Sequence, residues 1–460
     1  MSTRRDFLKN AAIAGFPAIV PSTVFGQTAP SNRIQIGQIG CGRIARGSEM
    51  AGILKNSAVA QFVAVCDLDT VRIADAKQHI ESAYEKKYGG GKYASLKTYG
   101  DYREMLENKS VDAVCISTPD HWHAQPAMEA ALAGKDIYLQ KPASLTIREG
   151  RQMADVVKRS GRILQLGSQQ RSDPQFRYAT ELVRNGRIGT LREIFIGLPV
   201  DPAGDDEPKM PVPSNLNYDM WLGSTPEVYY TEKRVHPQSA VMKVRYDRPG
   251  WLRCEQFGAG MITGWGAHHI DIAHWAMNLE ESGPVEIEAS AEFPKKGLWD
   301  VHGPYHVSAR YANGVTMYIS EKYSNGLRFI GDDGWIWVTR GKYTPGVRNN
   351  TLNASSLSIL TSGIKPGEVH LHESPNNDHH LDWLASIRSR QQPATPIEAG
   401  HRSCSACLLA WAAMRLNRPL KWDPVKERFL NDDQANATLS RKQRAPYGTD
   451  AVLAKLGQTN

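Results

Sequence analysis

Lys141 stands at the end of an apolar run, Asp136-Ile137-Tyr138-Leu139-Gln140, and immediately before Pro142. The proline fixes the turn and is open to a cis bond. A lysine held at the end of a buried strand loses some of its affinity for a proton. It can then exchange that proton with a hydroxyl group. A second group of reactive types is Gly264-Trp265-Gly266-Ala267-His268-His269-Ile270-Asp271-Ile272-Ala273-His274-Trp275. On a helix, His268 and Asp271 are three positions apart and share a face. An Asp can orient an imidazole, which can then accept a hydroxyl proton. Two His and an Asp also suggest a metal. His268 and His269 are adjacent, however, and point to different faces, so only His268 and Asp271 would converge. No metal is expected, and His269 and His274 are read as packing or surface groups.

A nucleotide site is expected near these groups. Ile34, Ile36 and Ile39 read as a short buried strand that turns through Gly40-Cys41-Gly42 into a helix starting near Arg43. In this G-x-G-x-x-A pattern the first glycine makes the turn. The second leaves no side chain between backbone and pyrophosphate, and the helix N-terminus faces the negative charge. The next apolar strand, Phe62 to Cys66, ends in Asp67. An acid there accepts the ribose hydroxyls of NAD and repels a 2′-phosphate. Further strands at 113–117, 136–139 and 163–166 alternate with helices, which predicts a parallel sheet covered on both faces. Gly40, Asp67, Thr118, Lys141 and Gly167 all lie at carboxyl ends of strands and should share one rim, where such sheets bind ligands.

The chain changes character after about residue 168. A helix over 174–185 is followed by a strand at 191–196 and then an irregular, aromatic-rich stretch, 199–260, of the kind that forms a lid or a substrate wall. Strand patterning returns at 285–293 and at 305–311. The latter is joined through Asn313-Gly314 to 315–320, a hairpin signal. Helices follow at 380–388 and 401–416, and the polar tail from Lys421 should wrap the surface. The predicted fold class is α/β. A Rossmann-type doubly wound domain (32–168) precedes an α/β domain (169–460) with a largely antiparallel open sheet.

With 460 residues, two domains are the prior; a net charge of +7 without basic–aromatic clusters argues against nucleic acid as a partner. Thr3-Arg4-Arg5-Asp6-Phe7-Leu8-Lys9, ahead of the apolar run 11–20, reads as a twin-arginine signal over 1–26. It predicts export, to the periplasm or beyond the cytoplasm by that route. The run is too short for a stable membrane span. The six scattered cysteines are read as core groups, with a disulfide or redox pair at Cys404 and Cys407 as the lesser alternative.

On these motifs the chain resembles the Gfo/Idh/MocA family of oxidoreductases. Gly40-Cys41-Gly42-Arg43-Ile44-Ala45 is similar to its nucleotide loop and Cys66-Asp67 to its NAD-selecting acid. Thr118-Pro119-Asp120 with His123 is similar to its nicotinamide-side loop, and Gln140-Lys141-Pro142 to its Glu-Lys-Pro signature. His268-x-x-Asp271 is similar to its histidine motif. The resemblance implies that Gly40, Gly42, Arg43, Ile44, Asp67, Thr118, Pro119, His123, Gln140 and Lys141 bind NAD. It also implies that Lys141 and His268 are catalytic and that Arg171 lies at the ligand. The chain departs from the pattern twice: Gln140 replaces the signature Glu, and Gly264 stands where an Asp usually precedes the histidine. Both departures remove a carboxylate.

The expected function is an exported NAD(H)-dependent oxidoreductase acting on a hydroxyl of a sugar, polyol or glycoside. Its cofactor would be tightly held, and it would form a homo-oligomer, a dimer or tetramer. Tyr230, His236, His268 and Asp271, with Arg171, are the expected substrate contacts. The alternative is an NAD-dependent glycosidase that oxidises the sugar transiently, eliminates the aglycone and returns the hydride. A non-catalytic sensor is a third reading, opposed by Lys141 and the export signal.

Overall fold

The computed structural model describes residues 32–89, 95–238 and 248–457. The twin-arginine segment lies outside them. The first sheet is six-stranded and wholly parallel: β1 (Ile34–Ile39), β2 (Ala60–Cys66), β3 (Lys97–Tyr99), β4 (Ala113–Ile116), β5 (Asp136–Leu139) and β6 (Leu164–Leu166). The spatial order is β3-β2-β1-β4-β5-β6, that of a doubly wound dinucleotide fold. All four residues of β4 and all four of β5 are buried, as strands covered on both faces must be. One face carries the helices Ala124–Leu132 and Ile147–Ser160. The other carries Met50–Lys55 and Thr70–Tyr88, joined there by His379–Ser389, whose Trp383 and Leu384 sit in the same apolar cluster. The helix after the Lys141 turn starts at a capping box: the Thr146 side chain accepts from Glu149 N, and Glu149 returns the contact. The Lys141–Pro142 bond is cis.

The second sheet has nine strands: β7 (Leu191–Gly197), β8 (Glu286–Ala291), β9 (Tyr305–Arg310), β10 (Thr316–Ser320), β11 (Gly326–Gly331), β12 (Gly334–Val338), β13 (Leu352–Ala354), β14 (Leu420–Asp423) and β15 (Arg428–Phe429). Its order is β13-β12-β11-β7-β10-β9-β8-β14-β15, and only the β7–β10 pair is parallel. The hairpin expected at Asn313-Gly314 joins β9 and β10. The inner face buries Ile194, Ile196, Met317, Ile319, Phe329 and Ile336 beneath helices Pro174–Arg184, Gly266–Met277 and Ile397–Leu416. The tail does more than wrap the surface. Residues 420–429 extend the sheet, and Thr449–Lys455 packs on the helices of the first domain. All six cysteines are buried and reduced; Cys404 and Cys407 hydrogen-bond to the Ser144 and Ser403 carbonyls instead of each other.

Candidate active site

The carboxyl ends of β1, β2, β4 and β5 open into a cavity of about 400 Å³. Gly40, Gly42, Arg43, Ile44, Asp67, Thr118, Pro119, His123, Gln140, Lys141, His236 and His268 all line it. The second domain closes it with Trp251, Trp265 and Arg340 among others. Gly40 is required by its backbone conformation and by contact. Gly40 has φ +79°, and a Cβ there would lie 2.8 Å from the Ser117 carbonyl oxygen. A Cβ on Gly42 would stand 3.3 Å from Nη1 of Arg72, which also lines the cavity. Asp67 is held by the Cys41 and Asp69 backbone N–H groups, at 2.6 and 3.0 Å, with its carboxylate at the cavity wall. Bare backbone, a helix start and this acid are the donor and acceptor set a dinucleotide needs. A bound NAD would supply the hydride acceptor. The rest of the chemistry belongs to side chains of this chain.

Lys141 donates from Nζ to the carbonyl of Gly264 at 2.9 Å. Burial is the largest influence on it and lowers its proton affinity. Asp120, on the same cavity, pulls the other way, while Arg340, Arg248 and Arg43 add to the lowering; the net value is about 8. Asp120 is itself driven up by burial, against the pull of Lys141. This pairing answers the carboxylate missing at position 264. Gly264 contributes a backbone acceptor for Lys141, and Asp120 supplies the negative charge from the opposite domain. Replacing Asp120 with Asn should leave the fold intact and move the Lys141 limb of the pH–rate profile to lower pH. The expected shift is about one to two pH units, since an opposite charge raises a lysine's proton affinity by that order. Initial rates against pH in both proteins check this.

The carboxylate missing at position 140 also has a counterpart. Gln140 Nε2 donates at 2.7 Å to Glu49, which is buried in the π-helical turn Ala45–Glu49 after the nucleotide loop and also accepts from Ser117 Oγ at 2.9 Å. A glutamate at position 140 would have placed two carboxylates in one dry site, where like charges cannot both ionise cheaply. The neutral amide fits beside Glu49. His123 acts as a brace, with its ring nitrogens 2.5 Å from the Pro142 carbonyl and 2.9 Å from that of Thr118. It ties the loop after β4 to the turn that carries Lys141.

His268 lines the cavity as a neutral ring. Burial and the charges of Arg340 and Lys141 hold it well below the ordinary imidazole range. Its Nδ1 is buried without a partner, so Nε2 is the nitrogen through which the ring can meet a ligand. Asp271 does not orient it. The Asp271 carboxylate is held bidentately by Arg171 at 2.7 and 2.8 Å and accepts from Ser403 Oγ at 2.9 Å. The three-residue spacing puts both on one helix, but a fully buried guanidinium outcompetes a neutral imidazole for that carboxylate. Arg171 is also paired with Glu280 and stacked over Trp275, so Arg171 and Asp271 form an ion pair beneath the site and do not line the cavity.

Two other expected substrate contacts are placed elsewhere. Tyr230 lies inside an apolar cluster with Tyr218 and Trp221 and does not line the cavity. His236 does line it, but its Nε2 bonds to Asp69 at 3.0 Å, two residues from Asp67. It therefore stands at the nucleotide end. His269 bonds to Asn325 at 2.8 Å and His274 to Tyr311 at 2.8 Å, as packing groups would. Asp120, Glu49, Arg248, Trp265 and Arg340 were not singled out from sequence. Asp120 carried a signal as part of Thr118-Pro119-Asp120, and Trp265 stood in the histidine stretch without a role assigned to it. The others come together from distant parts of the chain.

Residues 34–168 match the family model GFO_IDH_MocA, described as "Oxidoreductase family, NAD-binding Rossmann fold". Residues 203–449 match GFO_IDH_MocA_C2, described as "Oxidoreductase family, C-terminal alpha/beta domain". Among curated relatives, a myo-inositol 2-dehydrogenase of Thermotoga maritima is 31% identical over 156 residues, 34% of this chain and 42% of the relative. A glycosyl hydrolase family 109 protein 2 of Shewanella sp. (strain ANA-3) is 35% identical over 136 residues, 29% of this chain and 28% of the relative. These matches span less than half the length of either relative. A levoglucosan dehydrogenase solved with NADH and levoglucosan superimposes with a TM-score of 0.56 at 16% identity, covering 85% of this chain and 99% of that one. At that identity the likeness is one of fold.

Proposed function

Because the chain belongs to the Gfo/Idh/MocA oxidoreductase family, we propose that it removes hydride and proton from a hydroxyl-bearing carbon of a sugar, polyol or glycoside. The observation that carries this reading is that Lys141 and His268 line the same cavity as Gly40, Gly42 and Asp67. Lys141, eased towards its neutral form, accepts the hydroxyl proton as the alcohol becomes a carbonyl. Neutral His268 holds the same hydroxyl from its free nitrogen. Trp251 lines the same cavity and supplies aromatic surface for a sugar ring. The polyol and anhydrosugar chemistry named for the relatives supports this substrate class.

Three finer features belong to the same proposal. Export rests on Arg4-Arg5 and the apolar run behind them. Tight cofactor retention is supported by a strap over the nucleotide end: Asn215 and His236 bond to Asp69 at 2.8 and 3.0 Å, and Asn217 N bonds to the Leu68 carbonyl at 2.9 Å. Homo-oligomer formation is supported by the outer face of the nine-stranded sheet, where Phe195 stacks on Tyr318 and Arg328 on Trp335. A second reading, glycoside cleavage through transient oxidation, is favoured by the likeness to the family 109 hydrolase.

The test is an absorbance spectrum of the purified mature protein before and after a panel of sugars, polyols and aryl glycosides, without added NAD. A lasting near-ultraviolet band raised by a free sugar or polyol is the expected result. Aglycone release with no lasting band would replace the proposal with the hydrolase. No spectral response and no aglycone release, even with NAD added, would overturn both.

A further inference from the structure

The cavity is unevenly charged. At the nucleotide end Arg43 and Arg72 face Asp67, and the pyrophosphate expected there carries negative charge of its own. At the other end Lys141, Arg248 and Arg340 face the single carboxylate of Asp120. Lys141 and Asp120 offset each other. Arg248 shares Asp201 with Arg253, at 3.5 and 3.4 Å, so one carboxylate answers two guanidinium groups there. The Arg248 Nε is buried without a hydrogen-bond partner.

Arg340 has no carboxylate within ion-pair distance among the described residues; Asp173 acts on it only from farther away. Arg340 lies just past β12, with its guanidinium 4.8 Å from the centre of the Trp265 ring. That ring stands edge-on to His268 at 6.1 Å, and the preceding residue, Gly264, holds Lys141. A cation is therefore ordered by stacking beside both candidate catalytic groups. The residue reaches solvent at the cavity, while its guanidinium is partly drawn out of water, and that burial lowers its proton affinity against the weaker pull of Asp173.

We infer that the substrate carries an oxyanion, a carboxylate or a phosphate on the sugar, and that Arg340 selects it with support from Arg248. The inference rests on the oxidoreductase reading above and narrows its substrate class. A guanidinium offers two parallel N–H donors to either anion, and such charge-assisted pairs discriminate strongly against a neutral hydroxymethyl group.

The experiment compares D-glucuronate and D-galacturonate with D-glucose and D-galactose, and includes glucose 6-phosphate to separate the two anions. Rates are measured on wild type and Arg340→Gln, with NADH binding measured on both as a check of integrity. The acids, or the phosphate, should exceed the neutral sugars in kcat/KM by about 10²-fold. Arg340→Gln should erase about 10- to 100-fold of that advantage, mainly through KM; the readout is the ratio of anionic to neutral kcat/KM within each protein, because loss of the Arg340 charge also raises the proton affinity of Lys141 and acts on both kinds of sugar alike. Raising the salt concentration should raise KM for the anionic sugar only. Neutral sugars outrunning every anionic one, with the anionic-to-neutral ratio the same in Arg340→Gln as in wild type, would overturn the inference and leave the oxidoreductase reading standing. If nothing is turned over, calorimetric titration of D-glucuronate and glucose 6-phosphate into the NADH-loaded protein decides. Arg340-dependent binding sustains the inference while the oxidoreductase reading fails, and no binding overturns it.

Discussion

Lys141→Met is expected to lower kcat by about 10³-fold while NADH binding and the melting temperature stay close to wild type. General acid–base catalysis by a positioned side chain contributes about 10² to 10⁴ in rate, and here one side chain holds that position. Lys141 leaves the end of a fully buried strand, is braced through His123 and Pro142, and donates to the Gly264 carbonyl at 2.9 Å. Its proton affinity is lowered to about 8. In the oxidation direction the amine must be neutral to accept the hydroxyl proton, so the rate should rise with pH through about 8. In the carbonyl-reducing direction the protonated amine is the donor, and the rate should fall through the same region. Both limbs should vanish in Lys141→Met. Lys141→Arg should not rescue, because a guanidinium does not give up its proton in this range. Steady-state rates in both directions, with cofactor titration of the variant, provide the check.

His268→Asn is expected to cost about 10² to 10³ in kcat/KM, through loss of the ring nitrogen that meets the hydroxyl. The stronger statement concerns pH. Burial, Arg340 and Lys141 hold His268 well below the ordinary imidazole range, so the ring stays neutral from mildly acid to alkaline conditions. The wild-type rate should therefore show no protonation limb near the usual imidazole value. A limb there that disappears in His268→Asn would mean that the ring titrates freely, and the assigned role would fail. Asp271→Asn should act differently. It takes from Arg171, a fully buried cation, its bidentate partner and leaves it Glu280 alone, so the expected loss is in melting temperature first and activity second.

The sequence made some of this site readable because parts of it are local. Gly40, Gly42 and Asp67 follow strands whose apolar runs are unmistakable, and their roles depend on backbone geometry that a glycine or a strand end announces. Lys141 was legible for the same reason. The polar partners were not. Asp271 sits at the right helical spacing from His268, yet the carboxylate goes to Arg171, which is 100 positions away in the chain and invisible to periodicity. Tyr230 was read as a sugar contact from its place in an aromatic-rich stretch, but that stretch has an apolar cluster of its own to fill. His236 lies in the same stretch and was drawn to Asp69 because an N-capping carboxylate is a strong acceptor. The two substitutions that appeared to strip the site of carboxylates make sense only in three dimensions. Glu49 stands behind Gln140, and Asp120 stands across from Lys141. Arg340 follows β12, the strand next to the edge of the second sheet, with no motif around it.

The central claim is that one cavity joins a nucleotide-binding wall to a proton-handling pair and strips a hydroxyl-bearing carbon of hydride and proton together. The most direct test uses the sugar that responds in the spectral panel, deuterated at the carbon to be oxidised, in a single turnover with the purified protein. The account predicts that deuterium leaves the sugar for the protein-bound nucleotide, that the near-ultraviolet band forms several-fold more slowly than with unlabelled sugar, and that Lys141→Met slows it by about 10³-fold more. A sugar that keeps its deuterium while product forms, or a band whose rate ignores both the label and Lys141, would contradict it.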